Sequence, residues 1–488
     1  MTQTRSTLGG PARAVAVGGL LLTLLLAALD STVVGTATPR ILAELGGLER
    51  YTWVTTAYLL TSTVAVPLAG KLSDLYGRKP LLLIGAGFFV LTSALCGVAA
   101  DLTQLIAFRA LQGIGGGVVT AAVFAAVPEL FSPTARARLV GLFTGTYGLA
   151  SIVGPLLGGL LTDAVGWRGV FFVNLPLGAA AMAVLVAAYP SRRAASARTS
   201  VDYLGALTLV GGVGPLLLAL SLGGRELAWS SPTVVGLAAF GALMLLLFAR
   251  VEARAADPII PLALLRGRAV GIPTLGMALM AVGLFGATLF VPLFAQGVVG
   301  RSATGSGSAL APMMLAFVGA SIAVGQLIAR LGRYRFAGVG GMAVAALGLG
   351  LMSTMGPATG DGEVTRNLVV TGLGLGGALS AFAIANQNAV PLQQVGVSTA
   401  LGAFARAIGG TFGAAGLGAV LVGGIQASPS PIPSPEALAA SLHATFLAAL
   451  LVVLAGAVLV LFVEEVPLRG RAPAARGEAG WAASSGRA

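Results

Sequence analysis

Gly70-Lys71-Leu72-Ser73-Asp74-Leu75-Tyr76-Gly77-Arg78-Lys79-Pro80 is a polar passage between two long apolar runs, 51–71 and 80–99. A weaker copy, Gly325-Gln326-Leu327-Ile328-Ala329-Arg330-Leu331-Gly332-Arg333, follows 255 residues later. At the same offset Gly154 falls on Gly409 and Gly158 on Gly413. A repeat of that length divides the chain into two related halves. Within the passage, glycine permits close approach and a tight turn. Asp74 suits a helix N-terminus, and the basic residues suit carboxylates or lipid phosphates.

Working outward, apolar runs recur along the whole chain. Its 488 residues are 56% hydrophobic and only 9% charged, against about 25% charged in soluble proteins. That balance places the chain in a bilayer, where a backbone must satisfy its own polar groups, so the long runs are helices. The runs predict spans at 14–36, 51–71, 80–99, 102–127, 139–162, 168–189, 203–223, 232–250, 269–297, 304–329, 336–356, 367–388, 397–423 and 442–463, fourteen in all. The repeat pairs span 2 with 10 and span 5 with 13. An all-α membrane fold follows, with a six-helix half at 1–190, an inserted pair at 191–268, a second six-helix half at 269–463 and a disordered tail at 464–488. Halves of this kind are how many secondary transporters build alternating access.

The net charge of +12 is spread in short clusters between apolar runs, which fits membrane loops and not a nucleic-acid surface. With the N-terminus inside, the cytoplasmic segments hold 21 Lys and Arg residues. The outer loops hold six: Arg40, Arg50, Arg168, Arg225, Arg301 and Arg366. Both termini are therefore expected in the cytoplasm. The first run resembles a secretory signal in its basic flank, but it exceeds 20 residues and carries Asp30, so an uncleaved first span is expected.

Catalysis has little to work with. The lone Cys96 and His443 form no metal cluster and lie in no nucleophile signature. The two lysines, Lys71 and Lys79, are followed by Leu72 and Pro80, so no phosphate-binding loop exists and neither ATP nor another cofactor is implied. The glycines of 372–377 lie within an apolar run with no strand before them and read as helix packing.

Two charges do stand inside spans. Asp30 is the one carboxylate deep in a predicted helix, since Asp74, Asp101, Asp163, Asp202 and Glu464 all fall at ends. Arg109 costs about 2.5–3.5 kcal/mol near a bilayer centre and should face the bundle and find a partner. In span 5 the small residues Gly141, Gly154, Gly158 and Gly159 make a groove, and Pro155 permits a bend.

On these residues the chain resembles the major facilitator superfamily, in its fourteen-helix drug:proton antiporter branch. Gly70 to Pro80 is similar to the signature between helices 2 and 3, with Leu75 where many members carry a basic residue. Arg109-Ala110-Leu111-Gln112-Gly113-Ile114-Gly115 resembles the motif associated there with proton coupling. Gly141 to Gly159 resembles the antiporter motif, with Ala150 replacing one glycine. Leu29-Asp30-Ser31-Thr32-Val33-Val34 with Pro39, Trp167-Arg168 with Phe171 to Pro176, and Arg406-Ala407-Ile408-Gly409-Gly410 resemble the branch in helices 1, 6 and 13.

The resemblance implies a proton-coupled exporter in a bacterial inner membrane. Its partners would be a lipophilic small molecule, protons and membrane lipids, and the protein would act as a monomer. A lipid or self-made antibiotic as cargo is the alternative; a passive channel or a scaffold fits the repeat less well. Asp30 and Arg109 would carry proton coupling. Gly70, Asp74, Gly77, Arg78, Lys79 and Glu129 would form the inner gate, with Asp74 at the start of helix 13 and Arg78 paired to Glu129. The cavity candidates are Tyr58, Gln112, Tyr147, Phe285, Phe290, Phe294, Gln296 and Asn386.

Overall fold

The computed structural model describes residues 10–47, 50–130, 133–190, 203–223, 227–255, 262–391, 394–426 and 434–468. These residues form helices and no strand. The first set is α1 (Gly10–Leu45), α2 (Trp53–Tyr76), α3 (Arg78–Gly97), α4 (Leu102–Leu130), α5 (Pro133–Val165), α6 (Gly169–Phe172) and α7 (Asn174–Ala188). Next come α8 (Tyr203–Leu222), α9 (Pro232–Glu252) and α10 (Leu262–Arg266). The last set is α11 (Arg268–Gly297), α12 (Ala303–Leu331), α13 (Arg335–Ser353), α14 (Asp361–Asn388), α15 (Val395–Gln426) and α16 (Pro435–Val460).

Twelve segments among the described residues are long and apolar enough to cross a membrane, with α6 and α7 together making one of them, Gly169–Ala188. The other two expected spans appear as shorter apolar helical stretches, Trp53–Val66 in α2 and Leu204–Leu220 in α8. The span expected at 168–189 is interrupted at Val173. Pro176 has no N–H to offer the carbonyl four residues back, at Phe172, so α6 ends there.

The halves repeat their packing. α1 lies on α5 and α7, α4 on α2 and α3, and α3 on α7; correspondingly α11 lies on α15 and α16, α14 on α12 and α13, and α13 on α16. The glycines related by 255 residues serve the same purpose in each half. Cβ atoms at Gly154 and Gly158 would collide with Thr32, Val33 and Thr36 of α1, and at Gly409 and Gly413 with Ala278 and Val282 of α11. Small residues thus let the helices of each pair touch at backbone distance. The inserted helices α8 and α9 pack on each other, and α8 reaches α2 and α15, one from each half. Leu209, Val213 and Leu217 of α8 join Phe248, Leu401 and Ala415 in one apolar cluster.

At the α2–α3 turn Gly77 has φ +91° and ψ 155°, a conformation that a side chain would exclude. The two cations that follow it bond neighbouring helices. Arg78 Nε donates to the Ala125 carbonyl of α4 at 3.1 Å, and Lys79 Nζ donates to the carbonyls of Val186 and Tyr189 at 2.8 and 2.7 Å. Lys79 thus sits at the C-terminus of α7, where a cation complements the exposed carbonyls and the helix dipole. This turn marks what we call the basic end of the bundle; the opposite end is the far end. Among the described residues Gly70 has no neighbour within 4 Å of where a Cβ would stand.

Candidate functional site

The deep charges of the N-terminal half meet. Arg109 Nη1 of α4 lies 2.5 Å from Asp30 Oδ2 of α1, and both side chains are at most 1% exposed. Asp30 Oδ1 accepts from Gln112 Nε2 at 3.0 Å and from Asn174 Nδ2 at 2.9 Å. Gln112 follows Arg109 by one helical turn, so both reach the same carboxylate. Its Oε1 accepts in turn from Arg109 Nη1 at 2.7 Å, with Cys96 Sγ 3.5 Å away. Arg109 Nε donates to the Val54 carbonyl at 3.1 Å, and its guanidinium lies 4.3 Å over the Tyr58 ring.

A guanidinium and a carboxylate removed from solvent are tolerated when each is paired and their remaining groups are bonded, as here. The pair is neutral overall while Asp30 is ionised. Protonation of Asp30 would leave the charge of Arg109 uncompensated in a dry interior. Asn174 and Ser93, which bonds to Asn174 at 3.0 Å, complete the arrangement and were not singled out in the sequence. A short amide at the start of a span is an unremarkable residue until the fold brings it to a charge.

Several aromatic and polar candidates lie elsewhere, at the far end, where the halves are closed against each other. Tyr51 donates from its hydroxyl to the Leu289 carbonyl at 2.5 Å and stacks on Phe290 with centroids 6.0 Å apart. Gln296 Nε2 donates to the Thr36 carbonyl of α1 and to Ser306 Oγ of α12, at 2.9 and 2.8 Å. Phe294 is buried alongside. The far ends of α5 and α12 meet backbone to backbone: a Cβ at Gly159 would fall on Ala303 and Thr304, and one at Gly307 on the Pro155 carbonyl. Asp163 then accepts from the backbone N–H groups of Thr304 and Ala303, at 2.7 and 3.3 Å, at the first turn of α12. The acid of one half thus caps a helix of the other.

Asn386 binds helices of the C-terminal half together. It exchanges hydrogen bonds with Thr274 of α11, and its carbonyl accepts from Ser398 of α15 at 2.7 Å. Phe285 packs at Gly410. Arg406 is half-buried in α15. The side chains of Asp74, Glu129 and Tyr147, and the surroundings of Gly141, lie outside the described residues. Among the described residues no cluster of three metal-ligating side chains occurs.

Residues 20–414 match the family model of the Major Facilitator Superfamily. The chain belongs to the major facilitator superfamily. It is thus a multi-pass membrane transporter and not an enzyme. It is 41% identical over 409 residues to the multidrug transporter protein MdtP of Bacillus subtilis (strain 168), covering 84% of this chain and 75% of that protein. It is 35% identical to multidrug resistance protein 3 of the same organism, with 82% and 78% covered. It is 32% identical to the efflux pump dotC of Dothistroma septosporum, with 81% and 68% covered. In fold it is similar to a bacterial homologue of the human lysosomal transporter Spinster, with TM-score 0.65, 16% identity, and 93% and 97% of the two chains covered.

Proposed function

We propose that the chain is a proton-coupled exporter of lipophilic or amphipathic compounds in a bacterial inner membrane, working as a monomer. α2 and α8 complete fourteen spans, and the basic end faces the cytoplasm with both termini. The buried Asp30–Arg109 pair carries this reading, and the efflux and multidrug names of its relatives support it.

With Asp30 ionised the pair is neutral, so a neutral or singly cationic cargo can enter from the cytoplasm beside Tyr58, Gln112, Tyr147 and Phe285. With the far end open, a proton taken up by Asp30 unmasks Arg109 and expels that cargo. Return to the basic end releases the proton, so each cycle moves a proton inward and a cargo molecule outward. The inner gate would close through Asp74 at the start of α15, near Val397 to Thr399, and through Arg78 with Glu129. The bond from Arg78 to Ala125, one turn from Glu129, supports that placement.

Among the described residues no second carboxylate is buried in either six-helix half. Asp30 is already matched by Arg109, so a dication would leave two charges uncompensated in a poorly solvated site where a monocation leaves one, and its binding is suppressed by orders of magnitude relative to the monocation. Transport of matched mono- and dicationic dyes into proteoliposomes with an imposed proton gradient tests the reading. The monocation accumulates uphill and the accumulation collapses with a protonophore; equal handling of the dication, or equilibration without accumulation, contradicts it.

A further inference from the structure

We propose that Asn174 is a positioning residue that sets how readily Asp30 gives up and regains its proton. This rests on the reading of Asp30 as the coupling acid.

Asn174 opens α7, just past the break at Val173, and is 1% exposed. Its Nδ2 carries two hydrogens, and both are directed. One goes to Asp30 Oδ1 at 2.9 Å, the other to Ser93 Oγ at 3.0 Å. The hydroxyl of Ser93 is committed elsewhere, donating to the Phe171 carbonyl at 2.9 Å, so its oxygen can only accept from Asn174. Turned over, the amide would set its own oxygen against two acceptors. The α6 backbone therefore fixes Ser93, Ser93 fixes Asn174, and Asn174 presents an N–H to the carboxylate.

The groups facing Asp30 come from four directions. Arg109 and Gln112 approach from α4, Asn174 from α7, Cys96 of α3 stands behind Gln112, and Tyr58 of α2 underlies Arg109. The three that touch the carboxylate all do so as donors, an arrangement that satisfies an anion and offers a protonated carboxyl no acceptor. Arg109 supplies the charge, while Asn174 alone ties the carboxylate to the α6–α7 segment. That segment is also anchored to the far end of α1, where Trp167 Nε1 and Arg168 Nη1 bond the Glu44 carboxylate at 2.9 and 2.5 Å. A shift of α6 and α7 when the far end opens would withdraw the Asn174 donor and favour proton uptake there.

The test is an infrared pH titration of the full purified chain in lipid, following the carboxylic-acid carbonyl band that Asp30→Asn removes. Loss of one hydrogen bond to a charged group raises the midpoint of that band by about one pH unit. Asn174→Leu preserves volume and removes the donor, and Asn174→Ala removes both. Both should shift the midpoint upward alike, and Ser93→Ala, which removes one of the two acceptors that orient the amide while the carboxylate still holds the other hydrogen, should shift it less in the same direction. A packing role predicts instead that only the alanine variant at 174 departs from the wild type. That pattern overturns the proposal, as does an unmoved midpoint in Asn174→Leu. If Asn174→Leu fails to fold, an unmoved midpoint in Asn174→Ala, which also lacks the donor, overturns it equally. Failure of the underlying reading looks different: no band disappears in Asp30→Asn, whatever happens at residue 174.

Discussion

Between α1, α4 and α7 the N-terminal half buries a carboxylate against a guanidinium. Between α11, α14 and α16, the corresponding helices of the C-terminal half, the buried polar residues among those described are Thr274, Asn367, Thr371, Asn386, Ser441 and Thr445, all uncharged. The two halves share their order of neighbours and their backbone-contact glycines. The repeated architecture therefore reflects packing that any such half requires, whereas among the described residues a buried carboxylate–guanidinium pair occurs in one of them. A half that carries no buried acid can still form the opposing wall of a cavity and move against the other.

Removing one polar residue from each half should expose this difference most strongly. Arg109→Ala strands a buried carboxylate and should destabilise the protein by about 3–5 kcal/mol. Asn386→Ala removes neutral hydrogen bonds worth about 1 kcal/mol each. Thermal unfolding of the purified variants measures both, and equal losses would mean that the halves are not energetically distinct.

A smaller effect is expected where the halves meet. Gly159→Val forces a side chain onto the backbone of Ala303 and Thr304, an overpacking of about 1–3 kcal/mol against the closed far end. A cysteine introduced by Ser306→Cys should then react faster with a membrane-impermeant thiol reagent. The native Cys96 is buried and forms a silent background. Unchanged labelling would show that the α5–α12 seam does not hold the far end shut.

The mildest variant sharpens the same point. Asp163→Asn keeps the shape of the cap on α12 but removes its charge, a loss of about 0.3–1 kcal/mol. Labelling at position 306 should rise, yet less than with Gly159→Val. A larger rise would make the charge, and not the glycine contact, the main closure.

The parts of this structure that were legible in the sequence share a physical cause. Asp30 and Arg109 could be singled out because a lone charge in a bilayer is expensive, and Gln112 because it lies one turn from Arg109. Gly154 and Gly158 could be paired with Gly409 and Gly413 because a repeat preserves contacts at backbone distance. Asn174 and Ser93 could not, since their roles depend on where three helices converge. The break at Val173 was masked by the continuous apolarity of the span, although Pro176 was its visible trace. Phe290, Phe294 and Gln296 read as cavity lining because composition reports which residues suit an interior. It does not report at which depth the halves close.

Purified Asp30→Asn in proteoliposomes, with a proton gradient imposed and a lipophilic monocationic dye as cargo, tests the central assignment most directly. The variant should fold, still equilibrate the dye down its own gradient, and accumulate none uphill. Uphill accumulation at the wild-type level would contradict the assignment.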